Sequence, residues 1–317
     1  MIAPIFSLYA HSAVIVFFVL SGFLISLAAQ RDGSMTEYLL NRASRIYSVA
    51  LPAMLLTWAV DRFLIENGTL GSTYQHNDPW KYLPLFLSFT NDFWFLSEDA
   101  FSNFPYWSLC YEVWYYIAFG ILFFGSGPWR WGLAVGVLLL MGPRLWLLWP
   151  IWLAGAHLRK LPILSVTISR LILLTFCLGL IMLKATDFEN TANNMINDWT
   201  SGFAKEHLRY SQDFLGDYLF AILIWGIIYA ARGSNLTFLI YFRKPIAAMA
   251  SISFSMYLTH IPLFLLFGAL FPKQRATIGI FSLGGIVVFG VIFERNKIFL
   301  RRFFEAVLNY GRLICLR

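Results

Sequence analysis

The chain has 317 residues, of which 59% are hydrophobic, 18% aromatic and only 13% charged, against roughly 25% charged in an ordinary soluble domain; this excludes a soluble globular enzyme and points to an all-α, polytopic membrane helical bundle. The net charge of +7 comes with no arginine-rich tract carrying interleaved stacking aromatics, so no nucleic-acid partner is expected. Cys110, Cys177 and Cys315 lie too far apart for a disulfide framework or a zinc site, and no metal is expected.

Nine apolar runs follow in chain order, at about residues 5–29, 46–65, 106–124, 131–143, 145–158, 168–184, 217–231, 246–269 and 277–293. Each is long enough, or nearly so, to cross a ~30 Å hydrocarbon core as a helix. The run 131–158 also reads as one hairpin broken around Met141-Gly142-Pro143-Arg144. Twelve Trp and fifteen Tyr suit many membrane–water crossings, where rings with a polar edge settle at headgroup level. No repeat or soluble insertion interrupts the chain, which reads as a single membrane domain over residues 1–317.

Orientation follows from Lys and Arg, which are retained on the cytoplasmic side. Segments 30–45, 125–130, 157–170, 232–245 and 294–317 together hold 16 of these residues, and the alternate segments hold 8, with 12 of the 17 acids. The first set is expected to be cytoplasmic. Lys184 to Asp217, with six acids against three bases, is expected to face the far side. An odd number of spans then puts the N-terminus outside. Because Met1–Ala10 lacks Lys and Arg, a segment upstream is expected to be missing.

Four groups of residues carry potential chemistry. Glu112 is a carboxylate within an apolar and aromatic span, where an ionisable side chain costs roughly 2.5–3.5 kcal/mol and marks a functional site by default. Arg42 and Arg45 start a helix three residues apart and project from one face, a spacing suited either to clamping a phosphorylated ligand or to anchoring at the cytoplasmic surface. Ser253, Tyr257 and His260 share one helical stripe. Ser21-Gly22 reads as a close helix contact through small residues, and His11 as an interfacial side chain.

Five blocks, in order, resemble the acyltransferase-3 family of integral-membrane acyltransferases. Phe17-Phe18-Val19-Leu20-Ser21-Gly22-Phe23-Leu24-Ile25 is similar to its most specific signature. Arg42 to Pro52, Trp107-Ser108-Leu109 with Glu112, Ile252 to Pro262, and Phe293-Glu294-Arg295 match the other four. The resemblance implies an O-acyltransferase, with acetyl as the expected group. It would sit in the bacterial inner membrane, taking the acyl group from cytoplasmic acetyl-CoA and passing it to a carbohydrate or lipid-linked sugar hydroxyl on the outer side, among membrane lipids. It also implies a preceding helix with an arginine and, eleven residues later, a catalytic histidine, which this chain is expected to lack. The remaining catalytic candidates are Glu112, His260, Ser253 and Tyr257, with Arg42 and Arg45 on the CoA phosphates. Two alternatives stay open: a transporter or flippase for lipid-linked sugars, and a non-catalytic remnant.

Overall fold

The computed structural model describes residues 3–72, 74–186, 188–294 and 297–315. Among these it forms helices and no strand. They are α1 (Ala3–Asp32), α2 (Met35–Glu66), α3 (Tyr74–Asn77), α4 (Pro79–Leu87), α5 (Trp107–Phe124), α6 (Trp129–Met141) and α7 (Pro143–His157). There follow α8 (Val166–Ala185), α9 (Phe188–Trp199), α10 (Phe203–His207), α11 (Phe214–Ala231), α12 (Arg243–Leu270), α13 (Arg275–Phe293) and α14 (Lys297–Cys315).

Each of the nine apolar runs carries a helix, and seven of those helices are long and apolar enough to cross a membrane. The other two are α6 and α7. At 13 and 15 residues they reach only about 20 Å each, short of a ~30 Å core. Gly142 separates them with φ 83°, a conformation glycine adopts without strain. A Cβ there would also lie 2.6 Å from the Trp94 backbone.

The chain groups into two compact units. The first comprises Met1–Gly33, Asp92–Ser97 and Trp114–Ile240. In it α1 crosses α7 at backbone contact: a Cβ on Gly22 would fall 2.0 Å from the Trp152 carbonyl oxygen, and one on Gly155 would fall 2.1 Å from that of Val19. Ser21 sits beside this crossing, its Oγ 3.2 Å from both Trp152 Nε1 and the Tyr116 hydroxyl. The most distinctive block of the sequence is therefore a packing element, as its small residues predict.

Also in this unit, Arg144 is buried in the first turn of α7 and ties three segments together. Its Nη1 donates to Asp92 at 3.2 Å and to the Leu96 carbonyl, and its Nε donates to the His207 carbonyl at 2.7 Å. A buried charge needs such satisfaction, because losing one partner of a buried pair costs about 3–5 kcal/mol. His11 is no freely solvated side chain: its Nε2 lies 2.9 and 3.0 Å from the two carboxylate oxygens of buried Asp217.

The second unit comprises Ser34–Asn91, Glu98–Val113 and Tyr241–Arg317. Its spine is α2, started by Ser34, whose Oγ accepts from the Glu37 N–H, and flanked by α12 and α14. The segment after α2 is held against it at two places. At one end of α2, buried Asp61 accepts from Ser102 N and Oγ at 2.9 and 2.6 Å, with His76 Nε2 3.2 Å away. Nearer its middle, the Tyr47 hydroxyl donates to the Leu87 carbonyl at 2.7 Å. Fourteen residues of α2 separate these anchors, about 21 Å of helix, so α4 returns along α2.

Candidate active site

Three of the five family-like blocks meet in the second unit, on and around α12. The reason begins with Pro262, which has no N–H and so leaves the carbonyl of Leu258 without its helical donor. In a buried segment that orphaned acceptor needs a replacement. Asn103 supplies it: Nδ2 donates to the Leu258 oxygen at 2.8 Å and to Thr57 Oγ1 at 3.2 Å. Thr57 has spent its own proton on the Ala53 carbonyl, 2.8 Å away, and so accepts. Asn103 is 1% exposed, and its Oδ1 has no hydrogen-bond partner.

One residue before Leu258, the Tyr257 hydroxyl donates to the Pro105 carbonyl at 2.8 Å and lies 2.8 Å from Ser108 Oγ. These contacts fasten α12 to the start of α5, so the Trp107-Ser108-Leu109 block and the Ile252–Pro262 block touch through hydroxyls. Glu112 lies one turn further along α5 and is 4% exposed. Two residues before Tyr257 on α12, Ser255 donates from both N and Oγ to Glu294 Oε1, each at 3.0 Å. Glu294 thus accepts from both an N–H and a hydroxyl on α12; Arg295 lies outside the described residues.

His260 is half-buried, and its ring is fixed by its own helix. Nδ1 lies 2.7 Å from the Tyr257 carbonyl oxygen and 3.3 Å from that of Met256. A carbonyl only accepts, so Nδ1 carries the proton, and in the neutral ring Nε2 holds the free lone pair. That is the form a general base needs.

The stripe of Ser253, Tyr257 and His260 does not act as a hydrogen-bonded set. Ser253 is exposed and returns its hydroxyl to the Ala250 carbonyl at 2.9 Å, while the Tyr257 hydroxyl is committed to Pro105 and Ser108. Helical spacing places side chains on a face, but short hydroxyls on a helix satisfy themselves on the preceding turn. His260 takes its orientation from backbone carbonyls instead.

Arg42 and Arg45 sit far from this cluster. Arg45 is exposed, and the Arg42 guanidinium lies 6.0 Å from the centre of the Tyr38 ring. Near them, α14 brings Arg301 against Asn41 at 2.9 Å and Glu37 at 3.7 Å. From Arg42 to Thr57 is fifteen residues of α2, about 22 Å along the axis. Asn103, Thr57 and the Glu294–Ser255 contact escaped the sequence reading, since a pairing between polar residues of different elements leaves no periodicity along the chain. Pro262 was the available signal, because a proline inside a membrane helix demands a donor from elsewhere.

These features define a multi-pass membrane protein that holds ionisable side chains among buried hydroxyls. A family model described as an acyltransferase domain matches residues 4–295, while no curated protein and no solved structure matches the chain. The chain belongs to the acyltransferase-3 family and is an acyltransferase.

Proposed function

We propose that this protein is an O-acetyltransferase of the bacterial inner membrane. In this reading it takes acetyl groups from cytoplasmic acetyl-CoA and esterifies a carbohydrate or lipid-linked sugar hydroxyl on the outer side. The observation that carries it is the fixed tautomer of His260, which offers an unprotonated Nε2 beside the Asn103 and Tyr257 anchors. The excess of Lys and Arg in alternate segments supports the direction.

His260 Nε2 takes the proton of the acceptor hydroxyl as its oxygen attacks the thioester carbonyl carbon. The tetrahedral intermediate collapses, the C–S bond breaks, and the CoA thiolate recovers the proton from the imidazolium, leaving ester and CoA. Glu112 supplies negative charge that stabilises the imidazolium in a medium of low dielectric. Arg42 and Arg45 hold the CoA phosphates bidentately. The roughly 20 Å of α2 between them and Thr57 is a gap that an extended phosphopantetheine arm spans. Tyr257 is a positioning residue, and Ser253 has no step in this scheme.

Turnover of radiolabelled acetyl-CoA by the protein in lipid nanodiscs tests the reading. His260→Gln should abolish turnover with acetyl-CoA binding intact, Glu112→Gln should slow it, and Arg42→Ala with Arg45→Ala should weaken acetyl-CoA binding. Unchanged turnover in the first or unchanged affinity in the last overturns the corresponding assignment.

A further inference from the structure

In the first unit, the polar segment between α8 and α11 forms a pocket of about 140 Å³ lined by Asn193, Asn194, Asn197, Lys205, Gln212 and Asp213. Four of these six side chains are carboxamides. Each carboxamide offers two N–H donors and a carbonyl acceptor on one rigid plane, which matches the adjacent hydroxyls of a sugar ring, each both donor and acceptor. One Lys and one Asp leave the lining without net charge, so the chemistry favours a neutral polyol over a phosphate or a cation.

The pocket is built. Asn193 is locked by accepting the Gly216 N–H at 2.9 Å, which leaves its Nδ2 donors free to turn elsewhere. Gly216 is needed for that approach, because a Cβ there would sit 2.7 Å from the Asn193 amide. Asn197 Oδ1 has no hydrogen-bond partner, and buried polar atoms of that kind are rare without a ligand or water to satisfy them.

The helix that carries the amides is also amphipathic. At about 100° per residue, Asn193, Asn194 and Asn197 lie opposite Phe188, Met195 and Trp199. Those three are 58%, 66% and 82% exposed. An amphipathic helix with exposed large apolar residues on one side settles in the headgroup region, so the amide face of α9 lies at the level of a lipid-borne headgroup. Phe188 also lines an apolar pocket with Met182, Leu219 and Ile222.

We propose that the amide pocket binds the sugar ring of the acceptor, with α9 as its recognising wall. The proposal rests on the carbohydrate-acceptor reading above and gives it a location. It is tested on the full chain in nanodiscs, by saturation-transfer NMR with methyl β-glucoside, methyl β-galactoside and methyl N-acetyl-β-glucosaminide, and with octyl β-glucoside below its micelle concentration. At least one methyl glycoside should bind. Asn194→Ala, an exposed change that leaves the fold intact, should weaken it about tenfold, the equivalent of one good hydrogen bond; Asn197→Ala should do the same with an unchanged melting temperature. Tighter binding of the octyl glycoside identifies the acceptor as lipid-linked, and equal binding identifies a free glycan.

No binding by any glycoside, or binding indifferent to Asn194→Ala, overturns the proposal. Acetyl-CoA binding in the same nanodiscs separates the two readings. Acetyl-CoA bound without sugar sinks the pocket and leaves the acyl transfer. Sugar bound without acetyl-CoA keeps the pocket and sinks the donor assignment.

Discussion

Asn103 Nδ2 donates to the backbone carbonyl of Leu258 at 2.8 Å, replacing the helical N–H that Pro262 cannot supply. A loop residue thereby completes the hydrogen bonding of the helix that carries His260, two residues beyond Leu258. Local backbone geometry at His260 and the loop after α4 become one structure.

Asn103→Leu, which keeps the branched shape of the side chain without its polar atoms, removes both donations and leaves the Leu258 carbonyl buried without a partner. We expect a loss of about 1–3 kcal/mol, read as a lower melting temperature in detergent. Turnover should fall while acetyl-CoA affinity holds, since Arg42 and Arg45, proposed above to hold the CoA phosphates, lie about 20 Å away along α2. Equal melting of variant and wild type would show that water or a shifted helix satisfies Leu258.

The hydroxyls of Tyr257 and Ser108, 2.8 Å apart, should be energetically coupled. Tyr257→Phe and Ser108→Ala are each expected to cost about 0.5–1.5 kcal/mol. In the double variant the losses should fall short of additive by at least about 0.5 kcal/mol. Strict additivity would mean that each hydroxyl is held by the Pro105 carbonyl alone.

Gly22→Ala and Gly136→Ala make a matched pair. The first places a methyl 2.0 Å from the Trp152 carbonyl oxygen, the second meets nothing within 4 Å. Separating α1 from α7 should cost about 1–3 kcal/mol or more, whereas an alanine in the exposed middle of α6 should be neutral or stabilising by up to about 1 kcal/mol. Thermal melting of the two side by side decides it; similar curves would refute the close crossing.

Asp213 responds to pH in a definite direction. Burial lifts its carboxyl above the ordinary value of 3.8, Glu189 adds to the lift, and His11 and Gln212 oppose it. A carboxyl with a raised folded-state pKa contributes stability that is complete below 3.8 and is lost as pH climbs through that value and past the raised one. Asp213→Asn should therefore melt above wild type at neutral pH and level with it in acid. A variant less stable at neutral pH would mean that the charge is held by a partner stronger than its burial.

The positions of the helices were legible in the chain alone. Nine apolar runs became nine helices, because in a hydrocarbon core a backbone must satisfy its own hydrogen bonds, and hydropathy reports where that is required. Ser21-Gly22 announced a close crossing, since only small residues let two backbones meet, and the family blocks announced an acyltransferase. Which partners meet was decided by the tertiary structure. Ser253 and Tyr257 share a stripe with His260, yet their hydroxyls go to Ala250, Pro105 and Ser108, because a face sets direction and local geometry sets the bond. Asn103 reaches Leu258 across 155 positions of sequence, Ser255 reaches Glu294 across 39, and the segment after α2 folds back along it. Contacts of that kind satisfy buried polar groups through whichever donor the packed chain brings near, and no spacing along the sequence encodes them.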